Sequence, residues 1–399
     1  MDNDRNSSLT ASHLSAPSLL LHRIVGGAFA FRICLTVIFF RSNPGDGTAA
    51  TVLLNLGLLL LAITYRSMSG PTGRLQTRWP RTVKWVAVYL LLAAGSLCWT
   101  AAPSVATAAI YWMCLLSDVA TVLLLLRYPS PQQSAAAILQ GYIIGATAVA
   151  IVAWCLPTTL DLRLGDEDFL HPNAIGFELG IATLLAMYFA RNNRLWRWLG
   201  IGLATTLLRT LSKASIAAFV LAAVFYLLQD STFGRKTRVA VGTGSVIAVA
   251  SFWTALESYA DLYAQGRNLE TLTGRTLIWA TSLDIALEKP WIGHGFYSFR
   301  WVVPLFGDFE AWQAHNEFLQ QFFAYGLLGL AVVVCLYWVL YKDILSAPAC
   351  RFRLLAGALL TFAIIRGLVD TERFDLSFPL WLMALVSVSL SLMPRPELP

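Results

Sequence analysis

Long apolar stretches separated by short polar connections recur along the chain, most of them near the length an α-helix needs to cross a bilayer core of about 30 Å. The pattern predicts spans over residues 24–40, 49–65, 85–99, 104–126, 135–156, 174–190, 195–208, 214–228, 239–255, 318–341, 354–369 and 378–392. That is an all-α polytopic membrane protein with about twelve transmembrane helices. One polar stretch breaks the rhythm. Residues 256–315 connect the ninth and tenth spans, and connections this long without obvious internal structure are uncommon and usually functional. The chain therefore divides into a tail at 1–23, spans one to nine at 24–255, the large loop at 256–315, spans ten to twelve at 316–392 and a short tail at 393–399.

Composition agrees with this division. The 399 residues are 57% hydrophobic and 13% charged, with a mean hydropathy of +0.62, which excludes a soluble globular domain. The six cysteines, Cys34, Cys98, Cys114, Cys155, Cys335 and Cys350, form no C-x-x-C pair and read as small core residues. The polar head with Ser7, Ser8, Ser12 and Ser15 ends at His22-Arg23, and no small-residue cleavage site follows the first span, so that span is expected to be retained.

The formal charge of +6 matters less than where it sits. Arg66, Arg74, Arg78, Arg81 and Lys84 occupy the second connection, Arg127 the fourth, and Arg191, Arg194 and Arg197 the sixth. Arg235, Lys236 and Arg238 occupy the eighth, and Lys342, Arg351 and Arg353 the tenth. All are even-numbered, so both termini are expected in the cytoplasm, with the large loop facing outward. The acidic connection with Asp161, Asp166, Glu167 and Asp168 and the turn from Arg209 to Lys213 share that face. The central connection at Arg191 is short, unlike that of a two-half transporter.

Candidate chemistry collects on the outward face. In the large loop, Thr273 and Thr276 flank Gly274-Arg275, and Trp279, Leu283, Ala286 and Leu287 recur at helical spacing. They predict a helix lying on the membrane surface and stopped by Pro290. Arg275 falls in its first turn, where the helix dipole repels a cation; it is either a solvated surface arginine or the partner of an anion such as a phosphate. His315 stands at the mouth of the tenth span, able to accept a proton from a hydroxyl, with Asn316 as a helix cap and Glu317, Gln320 and Gln321 on the first turn. His294 and His171 lie in turns bounded by Gly or Pro and read as structural. Arg209 and Lys213 are cations on the side that the charge bias disfavours, either touching lipid headgroups or countering a diphosphate. Glu178, Asp118 and Arg32 lie inside spans without partners readable from sequence, and Arg366, Asp370, Glu372, Arg373 and Asp375 form a mixed cluster between the last two spans. That cluster reads equally as a local ion-pair network or as one wall of a binding site.

Asp166-Glu167-Asp168 matches a D-x-D metal motif formally, as any three outward acids can. There is no phosphate-cradling glycine loop, no H-E-x-x-H and no G-x-S-x-G, so cytoplasmic nucleotide chemistry has no support.

The string from Leu272 through Gly274-Arg275 to Trp279, then Pro290-Trp291-Ile292-Gly293-His294-Gly295, Ala314-His315-Asn316-Glu317-Phe318 and Gly326-Leu327-Leu328-Gly329, resembles the O-antigen ligase and Wzy-type polymerase family. His171-Pro172-Asn173 and Leu211-Ser212-Lys213-Ala214-Ser215 are similar to its upstream motifs, in the manner of its exopolysaccharide polymerases. The resemblance implies a GT-C-like membrane glycosyltransferase of the bacterial inner membrane. Such an enzyme passes a glycan from an undecaprenyl-type diphosphate carrier to an acceptor hydroxyl on the periplasmic face. It implies His315 as base or acceptor-orienting group, Arg275 as diphosphate clamp and Lys213 with Arg209 as a second cationic contact, where many family members, especially ligases, carry arginine at the position of Lys213. Asn316, Asn173, His171 and Arg366 join them as substrate-binding candidates. No cofactor, metal or nucleic acid is expected; the partners are the lipid-linked donor, a glycan or lipid acceptor, the bilayer, and chain-length and export proteins. The strings favour a polymerase, with ligation onto lipid A core as the alternative. A lipid-linked glycan flippase and a non-catalytic assembly subunit remain readings from other classes.

Overall fold

The computed structural model describes residues 19–39, 44–68, 79–127, 130–158, 163–165, 170–191, 193–230, 234, 236, 238–240, 242–244 and 272–393 apart from 308. Most of the expected ninth span, the first part of the large loop and the acidic residues Asp161, Asp166, Glu167 and Asp168 lie outside the described residues. Regular structure among the described residues is helical, with one isolated bridge between Phe306 and Phe309. The helices are α1 (Leu20–Phe31), α2 (Leu35–Phe39), α3 (Pro44–Met68), α4 (Arg81–Ser96), α5 (Val105–Leu125), α6 (Pro131–Cys155) and α7 (Pro172–Phe189). They are followed by α8 (Arg194–Arg209), α9 (Lys213–Gln229), α10 (Leu272–Glu288), α11 (Phe299–Val302), α12 (Glu317–Ser346), α13 (Arg351–Gly367) and α14 (Leu380–Ser391).

Among the described residues, five helices carry windows long and apolar enough to cross a membrane: Gly47–Met68, Val105–Leu125, Pro131–Cys155, Pro172–Phe189 and Glu317–Ser346. The apolar side chains of α3, such as Leu53 and Leu60, are exposed, as a surface meeting lipid tails requires. Helix starts follow their residues. Proline opens α6 and α7, and Ser104, Asn193 and Asn316 accept from backbone N–H groups one turn in.

The bundle is built around α14, which is buried on every side from Leu380 to Leu390, packs on α4, α5 and α6, and is accordingly apolar all round. Trp381 on it meets Phe29 at 4.8 Å and Tyr142 at 5.7 Å. Helices α1 and α6 cross with backbones in contact, because Gly26 and Gly27 face Gly141 and Gly145, the small-residue packing favoured between membrane helices.

The expected first span is broken into α1, a 3-10 turn at Arg32–Cys34 and α2. The break sits at the ion pair of Arg32 with Asp118, 2.5 Å apart, with Asn55 at 3.4 Å. Two charges that the sequence left unpaired thus neutralise each other across α1 and α5, as membrane-embedded charges usually do. Glu178 is also partnered, by the Tyr142 hydroxyl.

Candidate active site

Helix α12 is interrupted at Gly326, whose φ of 66° breaks the ladder. In an unbroken helix the N–H groups of Leu327 and Leu328 would reach the carbonyls of Phe323 and Ala324. Instead they donate to Pro290 O at 2.7 Å and Trp291 O at 3.4 Å. The freed carbonyls of Phe323 and Ala324 accept from His294 N at 3.0 Å and Gly295 N at 2.8 Å. The segment 290–295 therefore plugs into the broken helix, bond for bond, and keeps the backbone groups at the break satisfied. A Cβ on Gly293 would lie 2.5 Å from Tyr325 N, and one on Gly326 would overlap the backbone of Trp291, so both glycines are required by close approach. His294 belongs to this joint: its Nε2 lies 3.0 Å from Ile285 O, its ring stacks on Phe323, and it is buried. Its structural assignment from sequence fits that role.

The joint orients the chain beyond it. His315 adopts φ 49°, a left-handed conformation uncommon for a residue with a side chain, and caps the approach to α12. Leu211 and Tyr297 share this conformation; Leu211 and His315 fall in motif segments, and Tyr297 lies two residues beyond Gly295. His315 Nδ1 lies 3.0 Å from Asp370 Oδ1 in the connection between α13 and α14. The Asp370 side chain is fully buried, whereas that of His315 is 19% exposed. Burial alone would raise the Asp370 carboxyl; the Arg366 guanidinium, His315 and Arg275 outweigh it and hold the group well below the usual carboxylate range. An ionised Asp370 only accepts, so Nδ1 of His315 is the donor in this contact, and Nε2 has no partner among the described residues.

Three further groups frame this pair. Arg275, in the first turn of α10 as expected, donates from Nη1 to Val369 O. The anion that its position calls for is thus supplied in part by the protein, through a carbonyl and the neighbouring Asp370. Arg366, 1% exposed, places Nη2 3.5 Å from Asp370 Oδ2 and 2.8 Å from Glu372 Oε1. Its Nε and Nη1 are buried without hydrogen-bond partners among the described residues. Asn316 donates to Leu368 O at 2.9 Å while its Oδ1 caps α12 at Leu319 N, and Trp279 Nε1 donates to Ala314 O at 2.8 Å. The α10 helix, the mouth of α12 and the connection after α13 are thereby tied to one another.

The upstream motifs reach the same end of the bundle. Arg366 lies 4.3 Å over the ring of Phe177, in the second turn of α7. That helix begins at the His171-Pro172-Asn173 motif, where His171 caps it by accepting from Asn173 N at 3.2 Å. Gly176 meets Ser212 closely enough that a Cβ would approach its side chain to 2.8 Å, which brings in the turn between α8 and α9. Lys213 is exposed at the start of α9, and Arg209 is half-buried at the end of α8. Sequence reasoning missed the residue that joins these motifs. Arg163 donates to Asn173 Oδ1 at 2.7 Å and to Thr210 O at 3.3 Å.

Comparison with known proteins points the same way. Residues 198–334 match the family model described as O-antigen ligase, an interval from α8 into α12 that contains Lys213, Arg275 and His315 but stops before Arg366 and Asp370. Over 342 residues the chain is 24% identical to the exopolysaccharide production protein ExoQ of Rhizobium meliloti (strain 1021), covering 77% of this chain and 74% of that protein. Together these matches bear out the likeness to the O-antigen ligase and Wzy-type polymerase family that the motifs carry, and with the candidate spans they mark the chain as a multi-pass membrane protein similar to polysaccharide polymerases and ligases.

Proposed function

We propose that the protein is a membrane glycosyltransferase that moves a glycan from a polyprenyl diphosphate carrier to a sugar hydroxyl on the outward face of the bacterial inner membrane, extending an exopolysaccharide. The observation that carries this reading is the contact of His315 with Asp370 beside Arg275 and Arg366. His315 Nε2 takes the proton of the acceptor hydroxyl as its oxygen bonds to the anomeric carbon. The carbon–oxygen bond to the diphosphate breaks, and the electron pair leaves with the carrier. Asp370 holds the ring and stabilises the imidazolium that forms, a positioning role that commonly accompanies a histidine base. Attack opposite the leaving group inverts the anomeric centre.

Diphosphate is a good leaving group once its charge is countered by donors already in place. That task is assigned to Arg275, Arg366, Lys213 and Arg209, with Asn316, Asn173 and His171 as further substrate contacts. The alternation of arginine-rich connections supports the outward placement of this end and cytoplasmic termini. The likeness to an exopolysaccharide production protein supports polymerisation over ligation to lipid A core. The test is incubation of the protein in nanodiscs with lipid-linked glycan and no nucleotide. Release of polyprenyl diphosphate with a lengthened glycan supports the reading, whereas unchanged donor in the presence of well-folded protein points to a transporter.

A further inference from the structure

The connection that supplies Asp370 continues into Arg373, and the segment that supplies His315 is preceded by Trp312. These two side chains meet: the Arg373 guanidinium lies 4.1 Å over the Trp312 ring. Arg300 lies 3.9 Å from the same ring, but it is spoken for, donating through Nε and Nη2 to the Glu310 carboxylate at 3.1 and 3.2 Å. Glu372 is likewise taken, by Arg366 at 2.8 Å. Arg373 makes no hydrogen bond or ion pair among the described residues, although it is exposed and its neighbour Phe374 is fixed by stacking 4.4 Å from Tyr111. A guanidinium held against an indole, with no partner for its N–H fork among the described residues, is preorganised for a carboxylate. Trp312 is itself 41% exposed, and with Arg373 and Arg300 lying over its ring it presents the exposed remainder of the indole as an apolar border beside the Arg373 fork.

We propose that Arg373 and Trp312 form a glycan subsite beside the reacting centre, which takes an acidic sugar, a ring bearing a carboxylate, from the acceptor chain. The position follows from the chain itself, since Trp312 stands three residues before His315 and Arg373 three after Asp370. A sugar held there sits next to the hydroxyl that is to react. Charge complementarity selects the occupant: the fork demands an anion, and the exposed border of the indole suits the C–H groups of a sugar ring. The inference rests on the transferase reading for its purpose, but the binding it asserts can be measured without catalysis.

The experiment uses full-length protein in nanodiscs and oligosaccharides cut from the producing cell's own polymer, before and after chemical reduction of their carboxyl groups. Binding is read from tryptophan fluorescence, with His315→Ala as a catalytically silent background. The acidic fragments are expected to bind at least tenfold more tightly than the reduced ones. Arg373→Gln is expected to erase that preference, Arg373→Lys to restore part of it, and Trp312→Ala to weaken both. In transfer assays Arg373→Gln is expected to raise the acceptor KM at least tenfold with kcat within about twofold. Equal binding of native and reduced fragments, or a polymer without carboxylates, would overturn the proposal. So would competition by inorganic pyrophosphate that depends on Arg373, which would assign the fork to the leaving group. Binding that behaves as expected in a protein that transfers nothing would uphold the subsite and refute the transferase reading.

Discussion

Two histidines, 21 residues apart in one motif region, show how differently a similar local sequence can be used. His294 sits where two backbones exchange hydrogen bonds, with its ring buried against Phe323 and its Nε2 on a carbonyl. His315 sits where two segments meet through side chains, one nitrogen on a buried carboxylate and the other without a partner among the described residues. The first region spends its polar groups on itself and is a joint. The second leaves Nε2 of His315 and two buried donors of Arg366 without partners among the described residues, the pattern expected of a site that takes a ligand.

The comparison is broken most decisively by exchanging the consequences of the two histidines. His315→Ala is expected to lower the transfer rate by about 10²- to 10⁴-fold, the usual contribution of a positioned base, with thermal stability unchanged. His294→Ala is expected to do the reverse, reducing folded yield and melting temperature; an equal loss of activity in stable protein would erase the distinction. Next in size, Gly326→Ala forces a side chain into left-handed backbone and into Trp291, and a destabilisation of about 3 kcal/mol is expected by thermal unfolding in detergent. Asp370→Asn keeps the shape but no longer fixes the proton on Nδ1, and a roughly 100-fold fall in kcat with unchanged donor affinity is expected. Arg275→Lys keeps the charge and loses the guanidinium geometry, for which steady-state kinetics should show about a tenfold fall, near the value of one charge-assisted hydrogen bond.

The smallest effect tests the surroundings of the site. Asp375, in the same connection as Asp370, is raised to about 7 by burial, despite accepting from Leu376 N and Leu380 N. Its folded value lies above its unfolded one, so the protein gives up stability as pH rises from about 4 through 7. The melting temperature is expected to decline over that window, and Asp375→Asn is expected to flatten the decline. Asp370 is the opposite case, held low, so its contribution is present above the ordinary carboxylate range and lost only in stronger acid.

Much of this organisation could be read from the sequence, and the gaps have a common physical origin. Periodicity reports which face of a helix is apolar, and it located spans such as those that became α5, α6, α7 and α12 to within a few residues. Motif residue types singled out His315 and Arg275 as candidates and read His294 as structural. Neither source reports which side chains meet across the chain. The partner of His315 lies 55 positions away and that of Arg32 lies 86 positions away, and in sequence Asp370 was one of five charges in a cluster. The exchange of hydrogen bonds between 290–295 and the broken α12 was equally hidden, because it is made by backbone, with glycines as its only trace. Arg163 was overlooked because an arginine in a polar loop looks solvated until its two acceptors are seen.

The measurement that bears most directly on the central claim is single-turnover release of polyprenyl diphosphate from lipid-linked glycan by wild-type, His315→Ala and His294→Ala proteins, each matched for folded content. The account predicts that release collapses in His315→Ala alone, with donor binding preserved. Release at the wild-type rate from His315→Ala would contradict it and remove His315 from the chemistry.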